Sequence, residues 1–140
     1  MNNLSINEMI IFLRNIPYIN EGGCAIAAIA IKRFLKINKN IECDIIYRHN
    51  FEDDYNINVN ALHNLDDPIS CNHAFISLKK SAFDCEGKQY FKNQCIRMPE
   101  KLVIASLNKL DEWNPSFKRK KYIPIIESKL KIDLSDIKLK

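Results

Sequence analysis

The run Ala25-Ile26-Ala27-Ala28-Ile29-Ala30-Ile31 places the tightest limit on how this chain folds. Small and aliphatic residues follow one another through two helical turns with no charge on any face, and a helix that is apolar all round has to be buried. The pattern predicts a helix from Cys24 to Ile37. Arg33 and Lys36 come only in its later turns, where cations suit the negative end of the macrodipole and where the helix is expected to emerge into solvent. A chain of 140 residues, 46% apolar and 27% charged, is long enough to wrap one core around such a helix and reads as a single domain over 1–140.

The elements around the helix follow from periodicity and from turn residues. A first helix is expected from Ser5 or Asn7, either of which can cap it, to Arg14, with Pro17 as its stop. Cys43 to Arg48 is β-branched and aromatic and reads as a strand after an Asn-Lys-Asn turn. His73 to Lys79 alternates, Lys80-Ser81 is a short connection, and Ala82 to Cys85 begins a partner strand before the turn at Glu86-Gly87. A further strand is expected over Gln94 to Met98 and a helix over Pro99 to Trp113. Beyond Tyr122 two readings stay open: helix around Ile125 to Leu130, or extended chain over Lys131 to Leu139. Residues 49–70, polar and rich in Asn and Asp, read as a long loop over the site, and long loops in compact domains often carry function. The sum is an α+β domain: a central buried helix packed against a small, mostly antiparallel sheet.

Charge and cysteine usage narrow the partners. The net charge of +4 is concentrated in Lys118-Arg119-Lys120-Lys121 and in the lysines that follow; with no aromatic residues interleaved, this reads as a solvated face rather than a nucleic-acid surface. The N-terminus has no basic n-region, and no segment approaches the ~20 apolar residues needed to span a bilayer. Cysteines at 24, 43, 71, 85 and 95 form an odd set without a CxxC pair, so free thiols in a reducing, cytoplasmic compartment are expected.

The chemistry begins at Cys24. It follows Asn20-Glu21-Gly22-Gly23 and opens the buried helix, so its thiol stands at a helix N-terminus, where unpaired N–H groups and the positive end of the dipole favour an anion. Downstream come His73, in Cys71-Asn72-His73-Ala74-Phe75, and Asp84, in Phe83-Asp84-Cys85-Glu86-Gly87. Across a short hairpin these two are plausible cross-strand or diagonal neighbours. A thiol whose proton is held by an imidazole attacks carbonyl carbon, and a carboxylate on the far ring nitrogen orients the base: Cys24, His73 and Asp84 are the residue types for those three roles. The backbone N–H of Cys24 is one donor for the oxyanion, and Asn20 is the nearest upstream side-chain amide. Gly22 and Gly23 allow backbone and substrate to approach without a Cβ between them.

These residues resemble a known group. Gly-Gly-Cys-Ala opening a buried helix, then Asn-His-Ala-Phe-Ile, then Phe-Asp-Cys-Glu-Gly, is similar to the papain-like cysteine peptidase superfamily, particularly its small bacterial and phage members. The matching pieces are residues 17–33 and 71–88. The resemblance implies a Cys-bearing central helix packed on a short antiparallel sheet that supplies His and then Asp, and a small peptidase or amidase that hydrolyses a peptide, isopeptide or amide bond in a peptide or protein substrate, without a cofactor. Where papain carries glutamine six residues before the nucleophile, this chain has Tyr18, and Ile26 stands where an aromatic residue is common.

Other readings use the same residues. Cysteine is among the most buried residue types, so Cys24 can be a small hydrophobe of the core; His73 can be an ordinary strand histidine, and Asp84 the first residue of a turn. Cys71 and His73, with Cys85, His63 or Cys43, could supply zinc ligands, at a spacing that matches no usual finger or ribbon. A papain-like scaffold without activity, binding a peptide or protein in its groove, is the alternative function.

Overall fold

In a computed structural model the described residues are 4–19, 22–49, 71–78, 81–83, 95–113 and 115–137. Their order is α1 (Ile6–Arg14), α2 (Cys24–Lys39), β1 (Asp44–His49), β2 (Cys71–Leu78), β3 (Ser81–Phe83), β4 (Cys95–Met98), α3 (Glu100–Trp113), α4 (Arg119–Leu130) and a 3-10 turn, Ser135–Ile137. The class is α+β, as the pattern predicts.

Ser5, rather than Asn7, starts α1. Its hydroxyl accepts from the Glu8 N–H at 3.0 Å, and the Glu8 carboxylate accepts from the Ser5 N–H at 3.1 Å, a reciprocal capping box. These hydrogen bonds hold the Glu8 carboxyl below the usual range. Met9 and Leu13, one turn apart, carry the buried face of α1 onto α2.

The uncharged stretch of α2 is the centre of the core. Every residue from Ala25 to Ile31 is buried, and Phe34 and Leu35 continue the burial into the next turn. The alanines keep the helix slim on several faces, so α1, the sheet and α3 all reach it. Asn40 ends α2 in the left-handed region, φ 54°, a usual helix stop.

Four antiparallel strands stand in the order β3-β2-β1-β4. Ile45 of β1 pairs with Ile76 of β2 and with Met98 of β4, and this row of buried residues belongs to the core that α2 fills. Ile46 has the alternate parity. It is buried outside that cluster, and its neighbour on β4, Arg97, is exposed and pairs with Asp44 at 3.2 Å. Helix α2 lies mainly against β2.

Two polar anchors fasten the far half of α2. Lys32 donates from Nζ to the Cys43 carbonyl at 2.7 Å, just before β1. Arg33 does not emerge into solvent as its place in the helix suggested. It donates from Nε to Glu100 of α3 and as a fork to both Asp136 carboxylate oxygens, each at 2.8 Å, and its Nη1 also reaches the Asp133 carbonyl. One guanidinium thus ties α2 to the start of α3 and to the C-terminal segment, whose Ile132, Leu134 and Ile137 are buried.

Charge-assisted bonds are worth about 1.5–3 kcal/mol each, but Glu100 and Asp136 keep access to water and recover hydration when the partner is lost. Arg33→Met is therefore expected to lower unfolding free energy in urea by about 2 kcal/mol in total. Arg33 holds the Asp136 carboxyl below its ordinary value of 3.8. A depressed carboxyl contributes stability above its unfolded value and loses it as the pH falls through the folded one, so the gap between wild type and Arg33→Met should narrow below pH 3.8.

The C-terminal region departs most from the sequence reading. Helix α4 begins at Arg119, inside the basic run, and continues through Pro124. A proline in the sixth position removes one hydrogen bond, and cations at a helix N-terminus oppose the dipole. Burial of Ile123, Ile126 and Leu130 outweighs both. Arg119, in the run read as a solvated face, is itself buried and donates to Asn108 of α3 at 2.7 Å.

Candidate functional site

Cys24 is the first residue of α2 and is half-buried, its flank against the core. Gly23 is the N-cap. It donates to the Tyr18 carbonyl at 3.3 Å and accepts from the Ala27 N–H at 2.9 Å. Among the described residues no side chain caps the helix, and its first turn holds no acidic residue to offset the positive end of the dipole.

The loop before it is built from two anchors and two unusual residues. Ile16 and Ile19 are buried, and between them Tyr18 takes φ 62° with its ring half exposed. An aromatic residue in the left-handed region is a costly conformer, of order 1–2 kcal/mol. Gly22, at φ 117°, occupies a conformation that other residues avoid.

At Gly23 the need for glycine has a different source. A Cβ there would lie 2.8 Å from the Phe117 ring and 2.9 Å from the Ile19 carbonyl oxygen. The close approach that the sequence reading reserved for substrate is made, on this side of Gly23, by Phe117 of the same chain. Phe117 is buried, stacks on Tyr122 with centroids 5.8 Å apart, and brings the segment before α4 onto the start of α2. Nothing in the spacing of the sequence signalled this residue.

His73 lies on β2, the strand against which α2 packs, so the two candidate residues stand on elements in direct contact. Its backbone pairs with Arg48. On the same strand, Ile76 is buried in the core that α2 fills. The regular pairing stops beside His73: Arg48 pairs with it but His49 pairs with Cys71, so Asn72 is an extra residue on β2. Such bulges bend a strand and re-aim neighbouring side chains, and they are common beside active sites.

Asp84 and Asn20 lie outside the described residues, as do His63, Cys85 and the loop 50–70. Phe83, the residue before Asp84, pairs with Ile76 in the β3–β2 ladder. The hairpin expected from the alternation is therefore present through Phe83, its first strand beginning at Cys71 rather than His73.

Burial pushes the Cys43 thiol up to about 11. Among the described residues no three His, Cys, Asp or Glu side chains gather as a metal site, and no helix is long and apolar enough to cross a membrane. No family model matches the chain, and neither does any curated protein or solved structure.

Proposed function

We propose that the chain is a small cysteine hydrolase of papain-like type, acting on a peptide, isopeptide or amide bond, with Cys24 as nucleophile, His73 as base and Asp84 as the carboxylate that orients it. The observation that carries this reading is the setting of Cys24: a half-buried residue opening a buried helix that no described side chain caps and that packs on the strand bearing His73.

In the proposed reaction the thiolate adds to the carbonyl carbon, with the Cys24 N–H and the Asn20 amide donating to the oxyanion. The imidazolium then gives its proton to the departing amine as the C–N bond breaks, leaving a thioester. Water, deprotonated by His73, adds to the thioester; the carboxylic acid leaves and the thiol is regenerated. Asp84 fixes the ring without taking the proton.

A specific observation favours a second reading, a papain-like scaffold that binds a peptide or protein without cleaving it. Phe117 fills the space beside Gly23, next to the candidate nucleophile. Hydrolysis of p-nitrophenyl acetate and of a fluorogenic peptide library separates the two. Cys24→Ala is expected to abolish turnover with an unchanged melting temperature, His73→Ala to cost roughly 10²–10⁴-fold, and Asp84→Ala to cost less, since it removes orientation rather than the base. Equal rates in wild type and Cys24→Ala would leave the binding scaffold as the surviving reading.

A further inference from the structure

The Cys24 N–H, the main-chain donor assigned to the oxyanion, shares a peptide unit with the Gly23 carbonyl, and that carbonyl accepts from the Ala27 N–H at 2.9 Å. A trans peptide is planar with N–H and C=O opposed, so the donor points out of the N-terminal end of α2, where it has no partner within the helix. Its direction is set by the Gly23 dihedrals, φ −99° and ψ 4°. Glycine itself does not hold that conformation, since it moves among several at little cost.

The hold comes from Phe117. A Cβ at Gly23 would stand 2.8 Å from both Cγ and Cδ2 of Phe117, so the ring rests directly on the glycine main chain. The ring is buried, and Tyr122 stacks against it with the planes 27° apart. Arg119, two residues on, is buried as well and bonded to Asn108 of α3, and Ile123 is fully buried. The segment that carries Phe117 is thus fastened to the core.

We propose that Phe117 is a positioning residue of the hydrolase: by packing on Gly23 it fixes the peptide unit that presents the Cys24 N–H to the oxyanion. The assignment rests on the hydrolase reading and gives it a part from the far end of the chain. Phe117 acts through Gly23, not on the substrate. A ring present only to fill the core would support the thiol and the N–H alike, whereas a ring that aims this peptide matters only to steps that build charge on a carbonyl oxygen.

Two reactions of the same thiol separate these roles. Acylation by p-nitrophenyl acetate passes through a tetrahedral oxyanion before p-nitrophenolate leaves; alkylation by iodoacetamide displaces iodide from a saturated carbon and forms none. Phe117→Leu should slow acylation of Cys24 about 10–100-fold, against the roughly 10²–10³ that a lost oxyanion donor costs, and leave alkylation at pH 7 at the wild-type rate. Tyr122→Leu withdraws the stacked neighbour and keeps Phe117; it should slow acylation less, again sparing alkylation, and it carries the test where the buried substitution costs the fold. The proposal is overturned if in the folded variants the two rates fall together, as for a loosened helix start, or if acylation is unchanged. Wild-type hydrolysis in Cys24→Ala would sink the hydrolase reading itself, and the assignment with it.

Discussion

Alkylation of Cys24 by limiting iodoacetamide in the folded protein should be nearly flat between about pH 5 and pH 8, and in His73→Ala it should fall about tenfold for each unit below 8. The shape of the profile is the diagnostic, more than the rate at one pH. A thiolate held by an imidazolium is fully formed well below neutrality, but its low basicity also lowers its intrinsic nucleophilicity, with a Brønsted slope of about 0.4–0.5. At pH 7 the two effects nearly cancel and the variants differ little; at pH 5 the wild type leads clearly. Peptide mass spectrometry reads each cysteine separately. Cys43, buried and with its thiol pushed up to about 11, serves as the unreactive reference in the same sample. A Cys24 profile that climbs tenfold per unit in both proteins would make its thiol a packing residue and leave the peptide-binding scaffold in front.

Gly23→Ala carries the largest expected loss of stability, about 3 kcal/mol, at the upper end of what one added methyl costs in a packed interior. Backbone strain is not the reason, since Gly23 sits at φ −99°, which alanine adopts freely. The reason is contact: the new carbon meets Phe117 at 2.8 Å and the Ile19 carbonyl oxygen at 2.9 Å. A ring can turn aside, but the main-chain oxygen of Ile19, a residue whose side chain is buried, moves only with the loop. Phe117→Leu in the same chain should therefore restore part of the loss and not all of it, a coupling that a double-mutant cycle in urea measures directly. Full recovery would place the whole clash on the ring and leave the loop unconstrained.

How far the sequence alone reaches depends on whether a residue's partners are near it in the chain. Ser5 and Glu8 are three apart, and the start of α1 was legible to within two residues, Ser5 or Asn7, while the box that decides for Ser5 was not read. The burial of Ala25 to Ile31 followed from composition without knowing what covers them. Strand β2 was legible in its alternation but not in its start at Cys71, because the bulge at Asn72 depends on the partner strand. The start of α4 was hidden for a similar reason: four cations and a proline argue locally against a helix, and only the burial of Ile123, Ile126 and Leu130 overrides them. At the candidate site Cys24 was placed at the head of its helix, as observed, while Phe117 was missed, since no local pattern links an aromatic residue near the C-terminal helix to a glycine before α2. Arg33 was read as a surface cation for the same cause, its partners lying 67 and 103 positions away.

That last separation bears on how the domain can be divided. A fragment ending anywhere between Trp113 and Lys131 keeps the buried helix but strips Arg33 of its Asp136 fork and leaves bare the surface that Ile132, Leu134 and Ile137 cover. The helix bearing the candidate nucleophile thus has no autonomous half: truncation from the C-terminal side should yield a loosened core, and reporter tags or split sites belong in the loops instead.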